Sequence, residues 1–148
     1  MMNKQLLWRD MDEGNELASM KKKTSTKQVV MWAGAVDQYG ETHYDKDFAL
    51  SRGLQGVIVH GSMKGAYLMQ LLTENKGHDV QLKRIKWTDK KMDFVGKPMT
   101  YKARVTRKYI EDNEALLDCD IWIENEENEK TSEGTATIAI PQVLPIHK

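Results

Sequence analysis

The sequence predicts an α+β fold in which one antiparallel sheet curls around a single buried helix. Two observations carry this. The second half of the chain alternates apolar and polar residues in long runs joined by short polar turns, the period of half-buried strands. The first half holds the run GSMKGAYLMQLL over residues 61–72, with Met63, Ala66, Tyr67, Leu68, Met69, Leu71 and Leu72 spread around most of a helix. A helix apolar nearly all round is expected to be buried on several sides, and a row of long strands suits wrapping it.

In chain order, Ser25 with Gln28 three residues on has the form of a capping box ahead of the helical run Val29 to Ala33. The helix over residues 61–72 follows. Val80, Leu82, Ile85 and Trp87 mark a strand whose alternation slips by one between Leu82 and Ile85, which predicts a β-bulge. Gly96 and Lys97 fit a turn. Met99, Tyr101, Ala103 and Val105 then alternate with Thr100, Lys102, Arg104 and Thr106. Glu111 to Glu114 has hairpin length. Beyond it Ala115, Leu117, Cys119, Ile121 and Ile123 point inward while Asp118, Asp120 and Glu124 point out. Asn125 to Lys130 turns the chain into a last strand from Thr131 to Ile140, before Pro141.

At 148 residues, with no internal repeat and no low-complexity linker, residues 1–148 read as one domain. Lys and Arg number 22 and Asp and Glu 22, a balance that argues against a nucleic-acid binder. No apolar run reaches the roughly 18–20 residues of a membrane span. The N-terminal MMNKQLLWRDMDEG has no apolar signal core, so a cytoplasmic protein is expected. Cys119 is the single cysteine, which excludes an internal disulfide and a cysteine zinc site. It faces inward and is expected to be inert. The neutral balance is uneven: residues 81–110 carry 10 basic and 2 acidic side chains, and residues 111–134 carry 1 basic and 10 acidic. Lys102 and Arg104 are placed to meet Asp118, Asp120 and Glu124 across neighbouring strands. Lys83, Arg84, Lys86, Lys90 and Lys91 have no acidic strand assigned, which makes them candidates for binding an anionic ligand.

Of the four histidines, His78 lies in a turn-rich loop and His147 next to the C-terminus, and neither is assigned a role. His43 lies in WAGAVDQYGETHYDKDFA over residues 32–49, a stretch dense in carboxylates. A carboxylate held near an imidazole is the minimum needed to activate water. His60 precedes Gly61 at the mouth of the buried helix, whose free N–H groups favour a developing negative charge. The same residues also suit an ordinary loop and helix start.

Together the two segments resemble the MaoC-like acyl dehydratases, or (R)-specific enoyl-CoA hydratases. Trp32-Ala33-Gly34-Ala35 and His43-Tyr44-Asp45 match the start and end of that family's hydratase signature, and Val59-His60-Gly61 matches its second segment. LLWRDMDEGNEL resembles the family's lead-in and GTATIAIP its last strand. The resemblance implies a hot-dog fold, a homodimer, and a trans-2-enoyl thioester of coenzyme A or acyl carrier protein as substrate. It also implies water activation by an Asp and a His, with the Gly61 N–H polarising the thioester carbonyl. No cofactor is expected beyond the acyl-CoA substrate, and no metal.

Aligned without gaps on His43, the signature's Asp falls on Gln38 and its Asn on Gly40. A glutamine amide cannot take a proton from water at neutral pH, so Asp37 or Glu41 is the expected base. The candidate catalytic residues are therefore His43, Asp37, Gln38 and Glu41. Tyr39, Gly40, His60, Gly61 and Ser62 are the candidate substrate-binding positions. Three functions fit: a hydratase or dehydratase of fatty acid metabolism, a non-catalytic acyl-CoA-binding subunit of a heteromeric hydratase, and a hot-dog thioesterase. Met63 and Met69 are the expected tunnel liners, although core filling suits most methionines. Trp122, on the polar-facing side of its strand, marks a candidate dimer or partner contact.

Overall fold

A computed structural model describes residues 6–74 and 79–142, so His78 and His147 lie outside the described residues. Within it the order is β1 (Met20–Lys23), α1 (Thr26–Val36), α2 (Lys46–Ser51), α3 (Gly61–Thr73), β2 (Gln81–Asp89), β3 (Pro98–Glu111), β4 (Glu114–Glu124) and β5 (Lys130–Ala139). The strands form one antiparallel sheet in the order β1-β3-β4-β5-β2. It curls around α3, and this is the hot-dog arrangement.

Local chemistry sets the boundaries. Ser25 Oγ accepts from the Gln28 N–H at 3.3 Å while Gln28 Oε1 accepts from the Ser25 N–H at 2.8 Å, the expected capping box of α1. The β3–β4 hairpin turns on Asp112 and Asn113, both at positive φ, which matches the right-handed twist of the strands they join. The bulge expected in β2 falls between Leu82 and Arg84. A second one, between Val105 and Arg107 of β3, has no apolar slip to announce it. The Asn125 side chain closes the β4–β5 turn by accepting from the Glu127 and Glu129 N–H groups.

The inward residues of β3 and β4 are buried as the alternation requires, and they meet Met63, Leu68, Leu71 and Leu72 of α3. Two glycines set how closely the layers approach. The Trp87 ring of β2 fills the space where Gly65 of α3 would carry a Cβ. At Gly134 of β5, that space is taken by the Lys86 carbonyl and the Trp87 Cα.

Three surface expectations are corrected. Trp122 is buried and not a contact surface: Arg104 and Lys130 lie over its ring and its indole N–H donates to Glu124 Oε1 at 2.7 Å. Lys102 does pair with Glu124, at 2.7 Å. Arg104, however, turns to Glu16 at 2.6 Å, because residues 14–17 run along β3 and bring that carboxylate to its flank. Asp118 instead accepts from the Tyr109 and Thr137 hydroxyls. Finally, Lys83, Lys90 and Lys91 are not unpaired. They reach Glu114, Glu133 and Glu129, because β2 lies beside β5 and brings its lysines within reach of the acidic block.

Gly134→Ala is expected to cost about 1–3 kcal/mol, near the upper end, because the added methyl meets backbone that cannot rotate away. Urea unfolding of the two proteins checks this.

Candidate active site

The stretch from the end of α1 to the first turn of α3 carries the candidate catalytic and substrate-binding residues. Asp37 ends α1 in the left-handed conformation, at φ 54°. This turns the chain sharply, so that Gln38 comes back over the mouth of α3. Ser62 Oγ donates to Gln38 Oε1 at 3.0 Å and itself accepts from the Trp32 indole N–H at 3.0 Å. The Gln38 main-chain carbonyl lies 3.1 Å from His60 Nε2. One residue thus clamps the loop to the helix through both its side chain and its backbone.

His43 ends a single 3-10 turn, Glu41–His43. Its Nδ1 lies 2.9 Å from the Ile58 carbonyl. A carbonyl can only accept, so Nδ1 carries the hydrogen and Nε2 keeps a free lone pair. The same logic puts the hydrogen of His60 on Nε2, facing Gln38, and leaves Nδ1 bare. His60 is 2% exposed, and among the described residues its Nδ1 has no hydrogen-bond partner. The two rings stack at 3.7 Å and 15°. Burial holds the His60 pKa below its ordinary 6.5; the Gln38 carbonyl opposes this and His43 reinforces it. His60 is therefore a neutral platform under His43.

The remaining candidates separate into two groups. Gly40 faces the Cδ2–Nε2 edge of His43, with room for a Cβ in ordinary contact. Asp37, Tyr39 and Glu41 are exposed, and among the described residues no hydrogen bond joins either carboxylate to His43. Gly61 opens α3, whose first turn has no side-chain cap.

What sequence reasoning missed lies one helical turn further in. Lys64 is 2% exposed, and its ammonium sits 2.7 Å from Asp93 Oδ2 and 3.0 Å from Asp89 Oδ1. It also donates to the Lys91 carbonyl at 3.3 Å. Ser132 Oγ donates to Asp89 Oδ1 at 2.6 Å. Asp89 Oδ2 lies 2.5 Å from where a Cβ on Gly61 would stand. A signal was available: Asp89 and Asp93 are the only acids in the basic block 81–110, and Lys64 is the one charged residue of an apolar helix.

Cys119 is buried between strand neighbours, and loss of solvation pushes its thiol up to about 12, with Asp118 and Asp120 adding to it. Among the described residues no group of His, Cys, Asp and Glu could hold a metal ion. No helix of the described residues is long and apolar enough to cross a membrane.

Solved structures share this architecture across nearly the whole chain. The (R)-hydratase from A. caviae involved in PHA biosynthesis superimposes with a TM-score of 0.78 at 19% identity, covering 90% of this chain and 99% of that one. R-hydratase PhaJ1 from Pseudomonas aeruginosa gives 0.85 at 14% identity, covering 97% and 93%. The ChsH1–ChsH2 complex from Mycobacterium tuberculosis gives 0.75 at 18% identity, covering 88% and 98%. No protein-family profile and no curated protein matches the sequence. The chain therefore has the hot-dog fold of the (R)-hydratases and MaoC-like dehydratases, as the sequence resemblance implies.

Two outcomes test this geometry. Lys64→Met strands two carboxylates beside the core and is expected to cost about 3–5 kcal/mol, part of it recovered by adding Asp93→Asn, as read from urea midpoints. Because the folded pKa of His60 is lowered, the unfolded chain binds a proton below pH 6.5 that the native chain does not. Stability should be full above that pH and fall as the pH drops below it, with a shallower fall in His60→Gln by thermal melts.

Proposed function

We propose that the chain is an acyl-thioester hydratase or dehydratase that adds water across a trans-2-enoyl thioester of coenzyme A or acyl carrier protein. The observation that carries this is the pairing of His43 with the α3 mouth. Its Nδ1 is committed to Ile58, its Nε2 is free, and its ring stacks on the residue preceding Gly61. A thioester carbonyl seated on the Gly61 N–H would gain the helix terminus as an electron sink while a carboxylate and His43 Nε2 activate the water. Tyr39, Gly40, His60 and Ser62, on the same loop and helix start, are proposed to shape the site around the substrate. We further propose a cytosolic homodimer acting in fatty acid metabolism. The strand β2 at the end of the sheet offers an open edge for a second copy.

A non-catalytic subunit of a heteromer is the second reading, and the Gln38 clamp favours it. The side chain at the family's carboxylate position is already committed to Ser62. Among the superimposed structures is a ChsH1–ChsH2 complex.

The test is turnover of crotonyl-CoA and longer 2-enoyl-CoAs by the purified chain, followed as loss of enoyl absorbance. Hydration is expected, with His43→Ala lowering it by about 10²–10⁴-fold and Gln38→Asp raising it. No hydration at any chain length overturns the reading for the isolated chain. Release of free thiol instead would identify a thioesterase.

A further inference from the structure

The hydratase reading needs a carboxylate, and among the described residues no loop carboxylate is hydrogen-bonded to His43. The β-sheet brings one to Gly61, the residue after the one on which His43 stacks. Asp89 closes β2 at the point where the strand passes the first turn of α3. Its Oδ1 is fixed twice, by Lys64 Nζ at 3.0 Å and by Ser132 Oγ at 2.6 Å. Its Oδ2 takes neither bond and lies over the Gly61 backbone, in the space that any other residue would fill with a Cβ. The side chain is 37% exposed, so water reaches it. Side-chain bonds in a helix lean toward its start, so a group in the Cβ space of Gly61 lies toward the helix mouth. His43 stacks on His60, the residue before Gly61. Asp89 thus lies against Gly61, and His43 against the ring of the residue before it.

We propose that Asp89 is the carboxylate base of this site, supplied by β2 instead of the loop, and that Lys64 and Ser132 are its positioning residues; this rests on the hydratase reading. Asp89 Oδ2 takes a proton from a water oriented by His43 Nε2. The water oxygen bonds to C3 of the enoyl thioester, the C2–C3 π pair moves toward the carbonyl, and the oxyanion forms on the Gly61 N–H. The same proton then passes from Asp89 to C2. One O–H bond and the C2–C3 π bond are broken, one C–O and one C–H bond are made, and the carboxylate is restored. Protonation neutralises Asp89 as the oxyanion charge grows, so two adjacent negative charges never stand together. Lys64 holds the carboxylate in place before and after.

The experiment is steady-state kinetics on crotonyl-CoA with wild type, Asp89→Asn and Ser132→Ala, each first checked for a native thermal melt. Asp89→Asn is expected to lower kcat by about 10²–10⁴-fold with KM little changed, since the amide keeps the shape and loses the basicity. Ser132→Ala leaves the Lys64 ion pair in place and is expected to lower kcat by about tenfold, again without raising KM. If Asp89→Asn does not fold, the Ser132→Ala result decides alone. Asp89→Asn activity within about threefold of wild type, or unaltered kcat in Ser132→Ala, overturns the role of Asp89 and leaves the hydratase reading standing. A wild type inert toward every enoyl thioester overturns both.

Discussion

A lysine ammonium buried with 2% exposure is the constraint around which the rest of this molecule is arranged. A charge withdrawn from water has to be paired and hydrogen-bonded, or it neutralises or unfolds the chain. Lys64 meets that demand with Asp89 at the end of β2, Asp93 in the loop beyond, and the Lys91 carbonyl between them. Asp93 in turn accepts from the Val59 N–H through its own carbonyl, which fixes the segment leading into α3. Ser132 brings in β5. Three stretches of chain, distant in sequence, thereby agree on where the first turn of α3 stands. Apolar packing along Leu68, Leu71 and Leu72 holds the helix in the sheet, but it would tolerate sliding along the helix axis; the ion cluster would not.

The helix mouth is held from its other side by neutral groups. Trp32, Ser62 and Gln38 form a chain of donors and acceptors, and the Gln38 carbonyl receives His60. This division has a physical logic. His60 lies where burial disfavours its charged form, so its neighbours have to be neutral acceptors. An Asp at position 38 would put an anion beside two stacked imidazoles. A glutamine keeps the acceptor and removes the charge, which trades basicity at this position for a firmer loop.

The sheet was legible because Met99 to Val105 and Ala115 to Ile123 are buried at every second position; Leu116 and Trp122, buried out of phase on β4, were not. The slip between Leu82 and Ile85 showed the first bulge for the same reason. The bulge after Val105 sits among Thr106, Arg107 and Lys108, where no apolar residue records the change of face. The site was legible only as far as its motifs reach. His43 and His60, which the family resemblance groups with Gly61, stack on each other because they lie on one loop and one helix start. Asp89 was hidden because it arrives through the sheet, and no local pattern links position 89 to position 61. Arg104 was misassigned for a related reason: a segment without regular structure, residues 14–17, delivers Glu16 to its side.

The charge distribution now has a physical content that its zero sum conceals. Most of the basic excess of residues 81–110 is spent against the acidic block, since β2 and β3 flank the β4–β5 pair and the lysines reach across to Glu114, Glu124, Glu129 and Glu133. Exposed pairs of this kind contribute little stability each, of the order of 0–1 kcal/mol. Their effect is on register and solubility. The two acids left inside the basic block have the opposite fate. Both turn toward the buried Lys64 ammonium, Asp93 inside the core and Asp89 with its side chain 37% exposed, and a single ammonium in low dielectric outweighs many exposed ones. Two carboxylates on one cation leave the cluster with an excess negative charge, and the more exposed of the two, Asp89, is the one laid against the helix start. A helix N-terminus favours negative charge, so the excess is stabilised at the place where the proposed chemistry requires a base.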